Sequence, residues 1–206
     1  MTRIASQNFH LESIEYKSLG FNTLLDFLRM DGKHSILDLG QALGVNVDFW
    51  SQFPCRIYIE DFYRSYREAA GSSPVASKES LISALLPIGA GTSFDIILTW
   101  DLLNYLNQEE LDVLIRCLTR WCRPGTLLFA LISSHAQIPE EPNTFRILGR
   151  ERMICETHTQ RTRPSPRYHP KDLARLLTPF EVSSSFLLRN GIREYVFAYK
   201  CAARSS

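Results

Sequence analysis

Apolar residues recur along the chain in short blocks that alternate between two periods. Ser35-Ile36-Leu37-Asp38-Leu39-Gly40, Arg56-Ile57-Tyr58-Ile59-Glu60, Phe94-Asp95-Ile96-Ile97-Leu98-Thr99 and Thr126 to Ile132 are near-continuous apolar runs. Runs of this length closed by polar or turn residues are the pattern of strands buried on both faces. Between them the period lengthens to that of a helix: Ala42 to Phe53, Phe62 to Ala70, and Glu109 to Trp121, where Leu111, Leu114, Ile115, Leu118 and Trp121 share one side. The second of these is stopped by Gly71-Ser72-Ser73-Pro74. Leu11 to Met30 reads as a further helix, through Ile14, Leu19, Leu24, Leu25, Phe27 and Leu28, ended by Asp31-Gly32. Leu81 to Ile88 reads as a weak strand or loop. Strands alternating with helices over short links predict a parallel sheet covered on both faces, with right-handed crossovers.

The chain ends differently. Pro170 to Leu177 reads as a helix with proline in its first turn. Glu181 to Leu188 and Ile192 to Lys200 read as two strands joined by Asn190-Gly191, a hairpin signal in which both turn residues take positive φ. Ser133 to Tyr168 carries the weakest pattern. Phe145-Arg146-Ile147-Leu148 and Arg152-Met153-Ile154-Cys155 flank Gly149 there and predict a small hairpin.

Bulk properties narrow the class. At 206 residues the chain has room for one sizeable core, and 45% hydrophobic with 22% charged residues is ordinary for a globular domain. A net charge of +1 gives no global pull toward nucleic acid. No apolar run reaches the length of a membrane span, and Met1 to His10 lacks the apolar centre of a signal peptide. Five scattered cysteines without a C-x-x-C pair fit reduced thiols in a cytoplasmic protein. His34, His135, His158 and His169 lack ligand-like spacing, so no metal site is expected. Ser133-Ser134-His135 lacks the glycine elbow of a serine hydrolase.

Candidate chemistry sits at the carboxyl ends of the parallel strands, where open sheets bind ligands. The first such end is Asp38-Leu39-Gly40-Gln41-Ala42-Leu43-Gly44, and Asp61 closes the second strand 23 residues after Asp38, next to Glu60. A dinucleotide fingerprint would place further glycines at Ala42 and Val45 and fails at both, which favours a nucleoside ligand without a pyrophosphate.

Asp38-x-Gly40-x-Ala42-x-Gly44 resembles the acidic-Gly-x-Gly-x-Gly motif of class I S-adenosylmethionine-dependent methyltransferases, with alanine at the middle glycine. Asp61 is similar to the family's ribose-holding acid, and Phe94 to Leu106 to its fourth strand and following loop. Cys122-Arg123-Pro124-Gly125 is similar to its proline-glycine turn, and the terminal hairpin to its antiparallel last strand. The resemblance covers about residues 30 to 200. It implies one three-layer, Rossmann-like α/β domain over 1–206, with a mostly parallel seven-stranded sheet and a C-terminal antiparallel hairpin. It also implies S-adenosylmethionine as cofactor, S-adenosylhomocysteine as its product, and methyl transfer to a small-molecule acceptor.

By the same resemblance, Asp38, Gly40, Ala42 and Gly44 line the methionine part of the cofactor. Asp61 binds the ribose, Phe62 lies beside the adenine, and Leu86 and Pro87 lie near its edge. Thr99, Trp100 and Asp101 stand at the cofactor–substrate boundary, and Asn104 and Tyr105 face the substrate. Asp101, and after it Tyr105, are the candidate general bases. Residues 133–168 are expected to form a lid or insertion on the substrate side. Arg146 to Arg175 holds seven Arg and one Lys against Glu151, Glu156 and Asp172, a pattern that suits either a solvated lid or a cover for an anionic acceptor. Two other readings stay open: a methyltransferase-like module that has lost turnover, motivated by Ala42, and a methyltransferase acting on protein or RNA.

Overall fold

The computed structural model describes residues 12–72 and 77–200. Among the described residues the principal sheet has six strands, in the order β10-β11-β5-β4-β2-β3. β2 (His34–Asp38), β3 (Cys55–Ile59), β4 (Phe94–Trp100) and β5 (Cys122–Ser133) run parallel. β10 (Phe180–Leu187) and β11 (Ile192–Tyr199) are antiparallel and close on β5. Among the described residues no seventh strand joins this sheet: after α4 (Lys78–Ala84) the chain runs through a loop into β4, leaving β3 at the edge.

Side-chain alternation along these strands builds a core on each face. Leu127, Phe129 and Leu131 of β5 join Ile36, Ile96, Leu98 and Val196 under α1 (Leu19–Leu25) and α2 (Gly44–Trp50). Leu128, Ala130 and Ile132 join Leu37, Ile97 and Phe197 under α3 (Phe62–Ser72), α4, α5 (Gln108–Thr119) and α6 (Pro170–Leu176). Period-two alternation with both phases apolar is what two covered faces require. α5 is started by its own sequence: Asn107 and Glu110 form a reciprocal capping box.

Three expectations need correction. Leu11 lies outside the described residues, and Glu12–Lys17 is a strand, β1, rather than the start of a helix. Ile14 and Tyr16 alternate there, and the Ser18 side chain then accepts the Phe21 N–H, so the helix begins only at Leu19. Leu81 to Ile88 opens within α4, which Ser77 caps through the Ser80 N–H and Ile82 anchors in the core. The Asn190-Gly191 turn has positive φ at Gly191 alone (+75°). The Gly191 N–H bonds to the Leu188 carbonyl and the Leu188 N–H to the Ile192 carbonyl, a three-residue loop closed by a left-handed glycine.

The 133–168 segment holds β6 (Gln137–Pro139), β7 (Thr144–Ile147), β8 (Arg152–Thr157) and β9 (Thr162–Pro164). β7 and β8 form the expected hairpin, and β1 adds to the far edge of β8. Phe145, Ile147 and Met153 of this small sheet belong to the α1–α2 core. Asn46 of α2 fastens it: its Nδ2 donates to the Phe145 carbonyl (2.8 Å) and its Oδ1 accepts from the Ile147 N–H (2.9 Å). Both bonds are buried, so Asn46→Ala strands two backbone groups. The expected cost is about 2–3 kcal/mol, a fall in Tm of roughly 5–10 °C at this chain length. Thermal denaturation followed by circular dichroism measures it, and an unchanged Tm would mean that packing alone seats the small sheet.

Candidate functional site

A cavity of about 770 Å³ opens beyond the carboxyl ends of β2, β3 and β4. Leu39, Gly40, Gln41 and Leu43 form its floor, Asp61 and Tyr63 one wall, and Thr99, Trp100, Asp101 and Leu102 another. Residues 140–145, which run from the end of β6 into β7, line it too, as do Arg64, Arg67 and Arg163. A volume of this size takes a nucleoside with room for a second small molecule.

The floor is held from below. Asp38 is buried, and its Oδ1 accepts the Gly40 N–H (2.9 Å) and the Trp100 indole Nε1–H (2.6 Å). Trp100 has φ +49°, a strained backbone for a bulky side chain. That conformation lays the indole against Gly40, where a Cβ would come within 2.7 Å of Trp100 Cδ1. Gly40 is therefore glycine because a tryptophan crosses it. On its far side the indole stacks on Phe145 (5.3 Å between centroids, 6° between planes), so one residue ties floor to roof. Burial pushes the Asp38 carboxyl up to about 6, against the two donors that draw it down.

Asp101 begins the turn Leu102–Tyr105 after β4. Its Oδ2 accepts both the backbone N–H (3.0 Å) and the side-chain amide (2.8 Å) of Asn143, whose Oδ1 in turn accepts from Thr157. Burial pushes the carboxyl up to about 7, and the Asn143 donors oppose that rise. A carboxyl that titrates near neutrality at a cavity wall is suited to accepting a proton. Asp101 and Asn143 also line a second, smaller cavity of about 90 Å³ beside Ser133 and His135.

The other expected residues divide. Asp61 lines the cavity, half-buried, and accepts the Arg64 N–H at the start of α3; Glu60 is not in the lining. Thr99 lines it too, but its hydroxyl is spent on the Phe129 carbonyl (2.8 Å). Ala42 and Gly44 lie outside the lining, both exposed. Phe62 is buried in the core, stacked on Tyr66, and Tyr63 stands at the cavity in its place. Leu86 is buried in the core, and neither it nor Pro87 reaches the cavity. Asn104 spends its amide on the Asp101 and Leu131 carbonyls and its oxygen on the Ser133 N–H. Tyr105 donates to the Glu141 carbonyl (2.9 Å), and burial with the nearby Asp101 raises its hydroxyl well above the ordinary range. Neither Asn104 nor Tyr105 lines the large cavity, and Tyr105 is a poor proton acceptor.

Tyr63 was readable in principle, because Phe62 and Tyr66 at i, i+4 fix the core face of α3 and turn position 63 away. Gln41, Leu43 and Asn143 were not, since loops have no period to read, and Phe145 was readable as a hairpin residue but not as part of the cavity. Four of the eight positive charges from Arg146 to Arg175 have ion-pair partners. Arg146, Arg150, Arg152 and Arg161 pair with Glu156, Asp26, Glu15 and Glu140. Arg163 remains in the cavity lining, its guanidinium 5.8 Å over the Tyr105 ring. No helix among the described residues is long and apolar enough to cross a membrane.

Comparison by sequence matches no protein-family model and no curated protein. Comparison by structure does find relatives. An S-adenosylmethionine-dependent methyltransferase from Clostridium acetobutylicum is similar over 90% of this chain and 93% of its own, at TM-score 0.53 and 10% identity. The PH0226 protein from Pyrococcus horikoshii OT3 is similar over 86% of each chain, at TM-score 0.51 and 15% identity. The chain has the class I methyltransferase fold.

Asp38 and Asp101 also carry a pH signature. Both carboxyls are raised, so the folded state holds their protons more tightly than the unfolded chain does. The resulting stability is full below about pH 4 and is lost as pH rises through about 6 for Asp38 and about 7 for Asp101. Asp101→Asn keeps an acceptor for Asn143 and removes the titration. Its stability relative to the natural chain should climb between about pH 4 and pH 8, by roughly 4 kcal/mol at most. Urea denaturation across that range measures the difference, and a pH-independent gap would contradict the burial of this carboxylate.

Proposed function

We propose that this chain binds S-adenosylmethionine in the large cavity and transfers its methyl group to a small-molecule acceptor. The observation that carries the reading is the placement of Asp61. A half-buried carboxylate stands at the end of the second parallel strand, facing a cavity floored by the Gly40 turn, with the Tyr63 ring beside it. Asp61 would accept hydrogen bonds from the ribose hydroxyls, and Tyr63 would lie against the adenine. The backbone of Gly40 and Gln41 would run beside the amino-acid tail. When bound, the cofactor supplies an electrophilic methyl group on a sulfonium, so the protein's own work is positioning and exclusion of water. Residues 140–145 cover the site from the acceptor side, which supports a lid role for 133–168. Asp101 would take a proton from an acceptor that must lose one. The lining carries Asp61, Glu68, Asp101, Glu140 and Glu141 beside Arg64, Arg67 and Arg163, so its charge does not favour an anionic acceptor.

Ala42 motivated the alternative of a module without turnover. Ala42 is exposed and is not among the residues that line the cavity, so this departure from the glycine motif does not narrow the site, and binding is the better-supported reading.

Calorimetry with S-adenosylhomocysteine tests it. Binding in the micromolar range is expected, a free energy of about −8 kcal/mol. Asp61 also caps α3, so Asp61→Ser, which retains a capping hydroxyl, is the cleaner variant. It should weaken binding about tenfold or more while leaving Tm nearly unchanged. Folded protein that releases no heat with S-adenosylhomocysteine or S-adenosylmethionine would overturn the reading.

A further inference from the structure

Asp38 is an anion placed immediately beneath the cavity floor, yet it is not part of the lining. Two N–H groups converge on its Oδ1, one from Gly40 and one from the Trp100 indole, and the side chain is 1% exposed. The indole is itself held by rings, stacked on Phe145 at 6° and on Phe21 at 23° to its plane, and edge-on to Phe129. Its left-handed backbone is a cost that this packing and the bond to Asp38 offset. A tryptophan so held is a seal over a carboxylate.

Resting on the cofactor reading above, we propose that Trp100 is a specificity-determining residue. It withholds Asp38 from the ammonium of the cofactor's amino-acid tail, so that recognition rests on the nucleoside half. An ammonium ion that reached a buried carboxylate would gain a charge-assisted hydrogen bond in a low-dielectric floor, an advantage of about tenfold or more in affinity. With the seal in place that advantage is absent. The tail meets the backbone of Gly40 and Gln41 and the rim of an indole instead.

The test compares S-adenosylhomocysteine with 5′-methylthioadenosine, which shares the nucleoside and thioether and lacks the amino-acid tail. Both affinities are measured by calorimetry for the natural chain, Asp38→Asn, Trp100→Phe and the double variant. In the natural background, Asp38→Asn should change the preference for S-adenosylhomocysteine by less than about threefold. Trp100→Phe keeps a ring on Phe145 but removes the N–H; in that background Asp38→Asn should lower the preference about tenfold or more. A comparable loss already in the natural background would show that Asp38 reaches the tail past the tryptophan and would overturn the proposal. So would no effect in either background.

Should the tryptophan variants fold poorly, the natural chain suffices. The Trp100 indole N–H proton, followed by NMR, should stay protected from solvent exchange when S-adenosylhomocysteine saturates the site. Loss of that protection would mean that the ligand displaces the seal, which also overturns the proposal. Folded natural chain that binds neither ligand is a different result: it removes the cofactor reading, and the proposal with it.

Discussion

The hydrogen bond from Trp100 Nε1 to Asp38 Oδ1, 2.6 Å long and buried, joins the ends of two neighbouring parallel strands and decides much of what surrounds them. It orients an indole that Gly40 can accommodate only by having no side chain. It holds the left-handed backbone that sends the chain from β4 into the turn bearing Asp101. Through the stack on Phe145 it fixes the small sheet β1-β8-β7 over the α1–α2 core. The cavity is the space left between that anchored floor and the strap at 140–145. A residue pair that looks like part of a ligand-binding motif is thus, in the first instance, the bolt that gives the cavity its shape.

The fold was legible where physics imposes a period. β2, β3, β4 and β5 are apolar on both faces because helices cover both, and that pattern is visible in the one-dimensional sequence. The proline at the start of α6 marked a helix start in the same way. Legibility failed where pairing is long-range. β1 gains its strand state from β8, 137 residues away at Tyr16 and Met153, and nothing local announces that partner. The seventh strand was expected from likeness, with only a weak strand-or-loop pattern at Leu81 to Ile88, and residues after α4 form a loop instead.

The site divides along the same line. Asp38, Gly40, Asp61, Trp100 and Asp101 sit at strand ends, where the alternation of elements already places them, and the structure gathers them around one cavity or directly beneath it. Phe62 and Tyr63 were exchanged because a helix turns 100° per residue and a one-position error moves a side chain from wall to core. Asn143, Phe145 and Arg163 come from the 133–168 segment, whose conformation is set by what it packs on: Asn143 by Asp101, Phe145 by Trp100, and Arg163 by Tyr105. The Arg-rich composition of that segment was visible, but its pairing with Glu156, Asp26, Glu15 and Glu140 was not.

That the cavity at the ends of β2, β3 and β4 is the binding place of an adenosyl cofactor is tested most directly by hydrogen–deuterium exchange with and without S-adenosylhomocysteine. Slowed exchange confined to the Gly40 turn, to the first turn of α3 after Asp61 and to residues 99–102, with the β10–β11 hairpin unchanged, is the expected result. Protection elsewhere with these three segments unaltered, or no protection at saturating ligand, would contradict it.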